Sequence, residues 1–565
     1  MRHGLLARPL FGMIGVLANE AEHSVIFEFF ELFKTPWEFY QTNSHYDVLI
    51  CSNRSFRKGS AELVLVYGAD QPGFDQENGI ELHSRFSDTV LLYKGDRIPI
   101  YRDCVTFKRK GPGAFVHEPT GQPALLEFAA PEQTSVRIGF DLFQEIRHLL
   151  THGQSVAYAR IPTLEMQIAA LRDLIVSYSI PLVEIPPVPP GYNFIVCLTH
   201  DVDHAGIRNH RFDHTMFGFL YRATIGSLIN FCLGRRSVGY LAANWMAAFS
   251  LPFVYLGIIK DFWNRFDRYI DLEAGLNSTF YVIPKKGDPG QNAGGVAPMR
   301  RAARYDATEI KGQIQQLLSA GREIALHGID AWRDVAKGQA ELETIRQLTG
   351  ISETGVRMHW LFFDENSPGK LEEAGFSYDS TVGYNETVGY RAGTTQVFKP
   401  LGAARLLELP MHVMDTALFY SGYMNLSPKQ GAAVAGDLIN KASRFGGVLT
   451  INWHDRSIAP ERLWGGVYRK LLHELKKREP WFPTAAQAVS WFRKRRSAKI
   501  ESVTRDGNTI RVKVSISDKE AALPELRIRV NKPLPNQSHS SGREYPRSDF
   551  AEATLNHSEE LVIAI

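Results

Sequence analysis

Cysteine is scarce. A chain of 565 residues has four, Cys51, Cys104, Cys197 and Cys232, and none forms a CxxC pair. That argues against a disulfide framework and a cysteine-bound zinc, and leans towards a reducing compartment. An excess of charge of one sign is missing as well. Lys and Arg number 64 against 61 Asp and Glu, a formal net charge of +3. Phosphate binding needs a concentrated positive surface, so nucleic acid is not an expected partner. The one dense basic cluster, Arg493, Lys494, Arg495, Arg496 and Lys499, reads as the solvated end of a helix. No clear leader stands out, because Arg8 and Pro9 interrupt the apolar stretch of residues 1–18. The expected location is cytoplasmic.

Long uncharged runs are rare, with one exception. Residues 237–259 carry no charge over 23 positions, between Arg236 and Lys260. That length can span a bilayer, yet Asn244, Ser250 and Pro252 interrupt its apolar character. The reading is a helical pair within a domain, buried or in peripheral contact with the inner face of a membrane through residues 217–259.

What is present is an ordinary globular balance, 44% hydrophobic and 22% charged. Disorder, collagen and coiled coil are thereby excluded as the main architecture. Residues 1–185 read as a mixed α/β domain, with strands at 46–50, 62–67 and 89–93 and helices at 137–150 and 164–176. Five prolines in residues 181–192 mark an extended linker. Residues 193–496 alternate strands with helices around an apolar insertion at about 213–262. Such alternation implies parallel pairing through right-handed crossovers, here in a closed or nearly closed barrel. Active residues in such barrels sit at the C-terminal ends of strands. Residues 497–565 read as a small β-sandwich-like domain with a long polar loop at 531–549.

Carboxylates and imidazoles recur where predicted strands end. LTHDVDH (198–204) runs an apolar strand into Asp201 and Asp203, with His200 and His204 alongside. Carboxylates buried there are costly unless a cation or partner compensates. Two residues apart in extended backbone, they project the same way and can share a cation or split the roles of base and ligand. EIALHG (323–328) brings His327 to a strand end, GVRMHW (355–360) brings His359, and LTINWHD (449–455) brings His454 and Asp455. One carboxylate with two imidazoles suits a borderline divalent ion such as zinc, with a position left for water. Trp360, Tyr384, Tyr390 and Trp453 lie near the same strand ends, either to stack on a ring of a ligand or simply to pack the barrel.

These segments, with YDSTVGYNETVGYRAGT (378–394) and LLELPMHVMD (406–415), together resemble the polysaccharide deacetylase family, also called the NodB-homology or carbohydrate esterase family 4 group. More closely they resemble its branch with an HDVD first motif and an extra N-terminal region. The resemblance covers about residues 193–490. It implies a distorted (β/α)7-type barrel and metal-dependent removal of an N-acetyl group from a sugar of a polysaccharide or glycan precursor, zinc being the first ion to consider. It implies Asp201 as general base and Asp203 as metal ligand, although Val202 separates residues that the family usually has adjacent. His327 matches the first histidine of the second motif, and Ala331 stands where the second would be. His359 is the best substitute ligand, with Asp330 the alternative. Arg357, or Arg391, matches the arginine that holds the base. His454 matches the general acid, with Asp415 or Asp455 to hold and polarise it.

Overall fold

The computed structural model describes residues 12–564 except 43, 53–59, 109–113, 132, 293, 460, 463, 519–521, 533–548 and 556–558. Residues 1–11 of the N-terminal stretch and most of the expected loop at 531–549 therefore lie outside the described residues. The chain divides into two compact units. One comprises Met1–Gly191, Ala392–Gln396 and Ser490–Ile565, the other Tyr192–Arg391 and Val397–Val489.

The second unit is built on eight parallel strands: β1 (Ile195–Val202), β2 (Ser278–Val282), β3 (Glu323–Gly328), β4 (Val356–Met358), β5 (Tyr378–Asp379), β6 (Leu407–Glu408), β7 (Val413–Met414) and β8 (Val448–Asn452). Their order is β6-β5-β4-β3-β2-β1-β8-β7, every neighbouring pair is parallel, and the sheet curls into a half-barrel. The expected count was seven. The difference lies in β7, which is two residues long. β6 and β7 follow each other without a helix, so they leave no strand–helix period in the sequence.

All eight residues of β1 are buried, and the five of β2 and of β8 are too. Strands covered on both faces read as largely apolar runs, and their charged and imidazole side chains gather where the runs stop. The expected strand over 355–362 ends early, at Met358, and the chain turns through His359–Leu361. Gly328 closes β3 against β4. A Cβ there would meet Met358 Sδ at 2.7 Å, so the absence of a side chain at this position leaves room for Met358 where the strands pair.

In the first unit a six-stranded sheet runs in the order Leu125–Ala129, Thr134–Ile138, Ala61–Tyr67, Tyr46–Ser52, Ile14–Leu17, Trp37–Phe39. The helix expected from 137 begins only at Leu142, because Thr134–Ile138 is a strand and Asp141 caps the helix by accepting from the Phe143 and Gln144 N–H groups at 3.0 and 3.2 Å. The proline-rich stretch is not linker throughout. Leu182–Glu184 is a buried strand that pairs antiparallel with Leu526–Asn531, which pairs in turn with Phe550–Leu555. A second three-stranded sheet holds Ala498–Asp506, Thr509–Ile516 and Glu559–Ala564.

The basic cluster at 493–499 is not a solvated helix end. Lys494 and Arg495 are buried, and Arg495 donates to the carbonyls of Glu31, Leu32 and Ile185. Arg496 makes a bidentate pair with Glu28 at 2.9 and 2.7 Å. Charge density along a sequence does not reveal that unpaired carbonyls of distant segments need donors.

Candidate metal centre

The ends of β1, β3, β4 and β8 bring one group of side chains together. Asp203 Oδ1 lies 3.4 Å from His327 Nε2 and 3.6 Å from His359 Nε2. Together they form the one group of three or more candidate ligands found among the described residues. His327 Nδ1 lies 2.9 Å from the Arg357 carbonyl, which can only accept, so Nδ1 carries a proton and Nε2 is the ring atom turned to Asp203. Asp203 Oδ1 is a buried oxygen without a hydrogen-bond partner among the described residues. One carboxylate oxygen with two imidazole nitrogens converging on it is a donor set that fits a divalent metal ion.

The electrostatics agree. Burial pushes the Asp203 carboxyl up, but His327, His359 and His454 outweigh it and hold the group well below the usual carboxylate range. Burial lowers His359 to about 3 against the pull of Asp203, so its imidazole is neutral, as a ligand must be.

His359 reaches the cluster through an unusual turn. Trp360 and Leu361 both have left-handed backbone, with φ of 63° and 53°. Such conformations cost about 1–3 kcal/mol each and persist where surrounding contacts impose them. Here Arg301, fully buried, donates to the His359 carbonyl at 2.8 and 3.3 Å, and Asn385 donates to the Trp360 carbonyl at 3.0 Å. The turn brings the His359 and His327 rings to 4.9 Å between centroids.

Asp201 stands beside this group, with Oδ2 3.8 Å from His327 Nε2. Its Oδ1 accepts from Arg357 at 2.9 Å and its Oδ2 from Asn452 Nδ2 at 2.7 Å. Burial raises the Asp201 carboxyl, yet Arg357, then His327 and His454, bring it below its ordinary value. Arg357 is itself fully buried, donates to Thr199 Oγ1 and to the carbonyl and hydroxyl of Ser380, and lies over the Tyr281 ring at 4.2 Å.

His454 Nε2 is 3.8 Å from Asp203 Oδ2, and its Nδ1 is 2.6 Å from Asp415 Oδ1. Asp415 also accepts from the His454 N–H at 2.8 Å. Burial alone would lower this imidazole, but Asp415, with Asp203 and Asp201, lifts it to about 10.

Of the two aspartates considered for holding His454, Asp415 is the one on its ring. Asp455 instead caps the loop after β1, where its carboxylate accepts from the N–H groups of His204, Ala205 and Arg456. Arg391 donates to the Gly383 carbonyl and lies over Phe363, so Arg357 alone of the two arginines meets Asp201. Asp330 is turned to Lys337 and the Gln291 N–H, outside the cluster. His200 and His204 also point away. His200 spans the Trp453 carbonyl and Glu273, each at 2.8 Å, and His204 meets His210 at 3.1 Å. Tyr384, Tyr390 and Trp453 are buried packing residues, and Trp360 alone of the four aromatics is partly exposed.

Three contributors went unnoticed in the sequence. Asn452 lies two residues before His454 and both donates to Asp201 Oδ2 and accepts from the Asp201 N–H at 3.2 Å. Its place at the end of β8 was the available signal. Thr199 and Arg301 had none.

No family model matches the chain, and no curated protein matches it. Solved structures do. A Mycobacterium smegmatis protein named, provisionally, as a polysaccharide deacetylase is 19% identical over 55% of this chain and 95% of its own, with a TM-score of 0.34. Agd3, described as a novel carbohydrate deacetylase, is 9% identical over 98% of this chain and 99% of its own, with a TM-score of 0.37. Puue allantoinase is 15% identical over 54% of this chain and 93% of its own, with a TM-score of 0.32. At such scores these likenesses carry no argument, and the chemistry of the site rests on its own geometry.

Proposed function

We propose that the protein is a metal-dependent hydrolase that removes an N-acetyl group from a sugar of a polysaccharide or glycan precursor. The carrying observation is the placement of Asp203, His327 and His359 beside both a carboxylate held by Arg357 and Asn452 and an imidazole held by Asp415. A pure binding site has no use for a base and an acid beside its ligands.

A divalent ion on these three side chains, zinc by the nature of the donors, would polarise a carbonyl and lower the pKa of a bound water. Asp201 takes the proton of the attacking water, and the Arg357 and Asn452 bonds fix its orientation. Arg357 also keeps Asp201 ionised and ready to accept. His454, protonated at neutral pH, gives its Nε2 proton to the departing amine, while Asp415 holds Nδ1–H and steadies the charge. Sugar recognition is assigned to the partly exposed face around Trp360.

Metal content tests the reading. Purified protein should hold close to one divalent ion per chain. His327→Ala and His359→Ala should each lose it, while Asp330→Ala should retain it. Failure of the wild type to take up metal, even on reconstitution, would leave a glycan-binding module without hydrolysis.

A pH–rate profile tests the acid. His454 must be charged to donate, so kcat/KM should stay level through neutral pH and fall as pH rises towards about 10. Asp415→Asn removes the group that lifts His454. The falling limb should then move to lower pH, and turnover should drop by about 10²-fold or more. An unchanged limb would remove His454 from the acid role.

A further inference from the structure

Residues 214–260 contain Arg222, Arg235, Arg236 and Lys260 and not a single Asp or Glu. They form two helical arms after β1. The first comprises His214–Tyr221, a π-turn at Arg222–Gly226 and Ser227–Cys232, and the second is Val238–Tyr255. On the second arm Ala247, Leu251 and Val254 are buried at helical spacing against Met216, Phe219 and Trp263. Its other face is apolar too. Met246 is 69% exposed, Phe249 71%, Phe253 51%, and Leu256 just beyond the helix 73%. A surface helix normally turns polar residues outward, and one that is apolar all round is normally covered.

The concentration is specific to this place. Of the 25 large apolar side chains exposed among the described residues, 16 fall within residues 212–259. An apolar surface of this kind marks contact with another phase or partner. The two arms are also fastened rather than loose. Arg208 donates to the Val254 and Ile259 carbonyls at 2.6 and 2.9 Å, and the Asp261 carboxylate accepts from the N–H groups of Ile207, Arg208 and Trp263.

We infer that this hairpin docks on the surface of an anionic lipid bilayer, lying in its plane. Its charge favours lipid over a second copy of the chain. Arg235 and Arg236 occupy the turn between the arms, Lys260 follows the second arm, and no acidic residue in the segment could pair with them in a symmetric contact. Tyr221 and Trp245, both exposed, supply the amphipathic rings that settle at the headgroup level. No helix among the described residues is long and apolar enough to cross a membrane, which leaves the in-plane arrangement. The hairpin follows β1, whose end carries Asp201 and Asp203, so the docked surface would belong to the same rim of the half-barrel as the metal centre.

The test needs no sugar and no turnover, so its failure is separable from that of the hydrolase reading. Full-length protein is sedimented with vesicles of phosphatidylcholine, with or without phosphatidylglycerol. Binding is expected to vesicles containing phosphatidylglycerol, weakened by salt, and at least about tenfold weaker without the anionic lipid. Phe249→Asp with Phe253→Asp should reduce it at least about tenfold, with thermal unfolding and metal content unchanged because both side chains are exposed. Arg235→Ser with Arg236→Ser should abolish the preference for anionic lipid while leaving the fold intact. Absence of vesicle binding by the wild type would overturn the inference. So would undiminished binding by the Phe249/Phe253 variant, or a dimer in sedimentation equilibrium that this variant dissociates without any vesicle binding.

Discussion

Asp201→Asn should lower turnover by about 10²- to 10⁴-fold while metal content stays at the wild-type level. The amide has nearly the same shape but cannot take a proton from water. The three proposed ligands are untouched, so a metal assay separates loss of base from loss of site. The substitution also disturbs a full set of bonds. Oδ1 accepts from Arg357 and Oδ2 from Asn452, while the Asn452 oxygen is already engaged by the Asp201 N–H. An amide at 201 can satisfy one of the two donors and must turn its own NH₂ on the other. That mismatch, together with the loss of the counter-charge of the buried Arg357, should cost about 3–5 kcal/mol of stability, readable as a lower unfolding midpoint. Acetate release from N-acetylglucosamine oligomers is the activity assay. Survival of turnover would assign the base elsewhere.

Arg357→Met should be the most destabilising single change at the site. The guanidinium is fully buried and donates to Asp201, Thr199 and Ser380. Methionine fills much of the volume, so packing is not the main loss. What remains is a buried carboxylate without its counter-charge, and breaking a buried pair from one side costs about 3–5 kcal/mol. Removing the charge on the other side should return part of that. Arg357→Met combined with Asp201→Asn should be more stable than the sum of the single changes predicts, and denaturant unfolding of the four proteins measures the difference. Strict additivity would mean that the two side chains do not support each other as their 2.9 Å contact implies.

The donor cluster was legible because buried parallel strands are mostly apolar, so Asp203, His327 and His359 stand out at the ends of EIALHG, GVRMHW and the first strand. The alternation of parallel strands and helices was legible from the same runs, but closure was not: the expected closed or nearly closed barrel is a half-barrel. Less was visible where structure depends on distant segments. The turn that aims His359 requires Arg301, whose sequence surroundings give no hint that it serves a carbonyl 58 positions away. Asp415 and Asp455 were equivalent on paper, and only the crossing of β7 beside β8 places Asp415 against His454. The buried cations at 494–495 misled for the same reason, since a helix end and a donor to remote carbonyls share one composition. A two-residue strand such as β7 falls below any periodic signal.

His327 and Arg357 face each other as partners in the ladder between β3 and β4, and the His327 ring bonds to the Arg357 carbonyl. The group that would grip a metal and the group that orients the proton acceptor are thus mounted on one rung. A slip of that register by one residue would turn one of the two side chains to the opposite face and part the pair. The backbone register of these two strands therefore bears on metal affinity and proton abstraction together. A lineage that loosens the rung would lose both together, and one that repairs it would recover both.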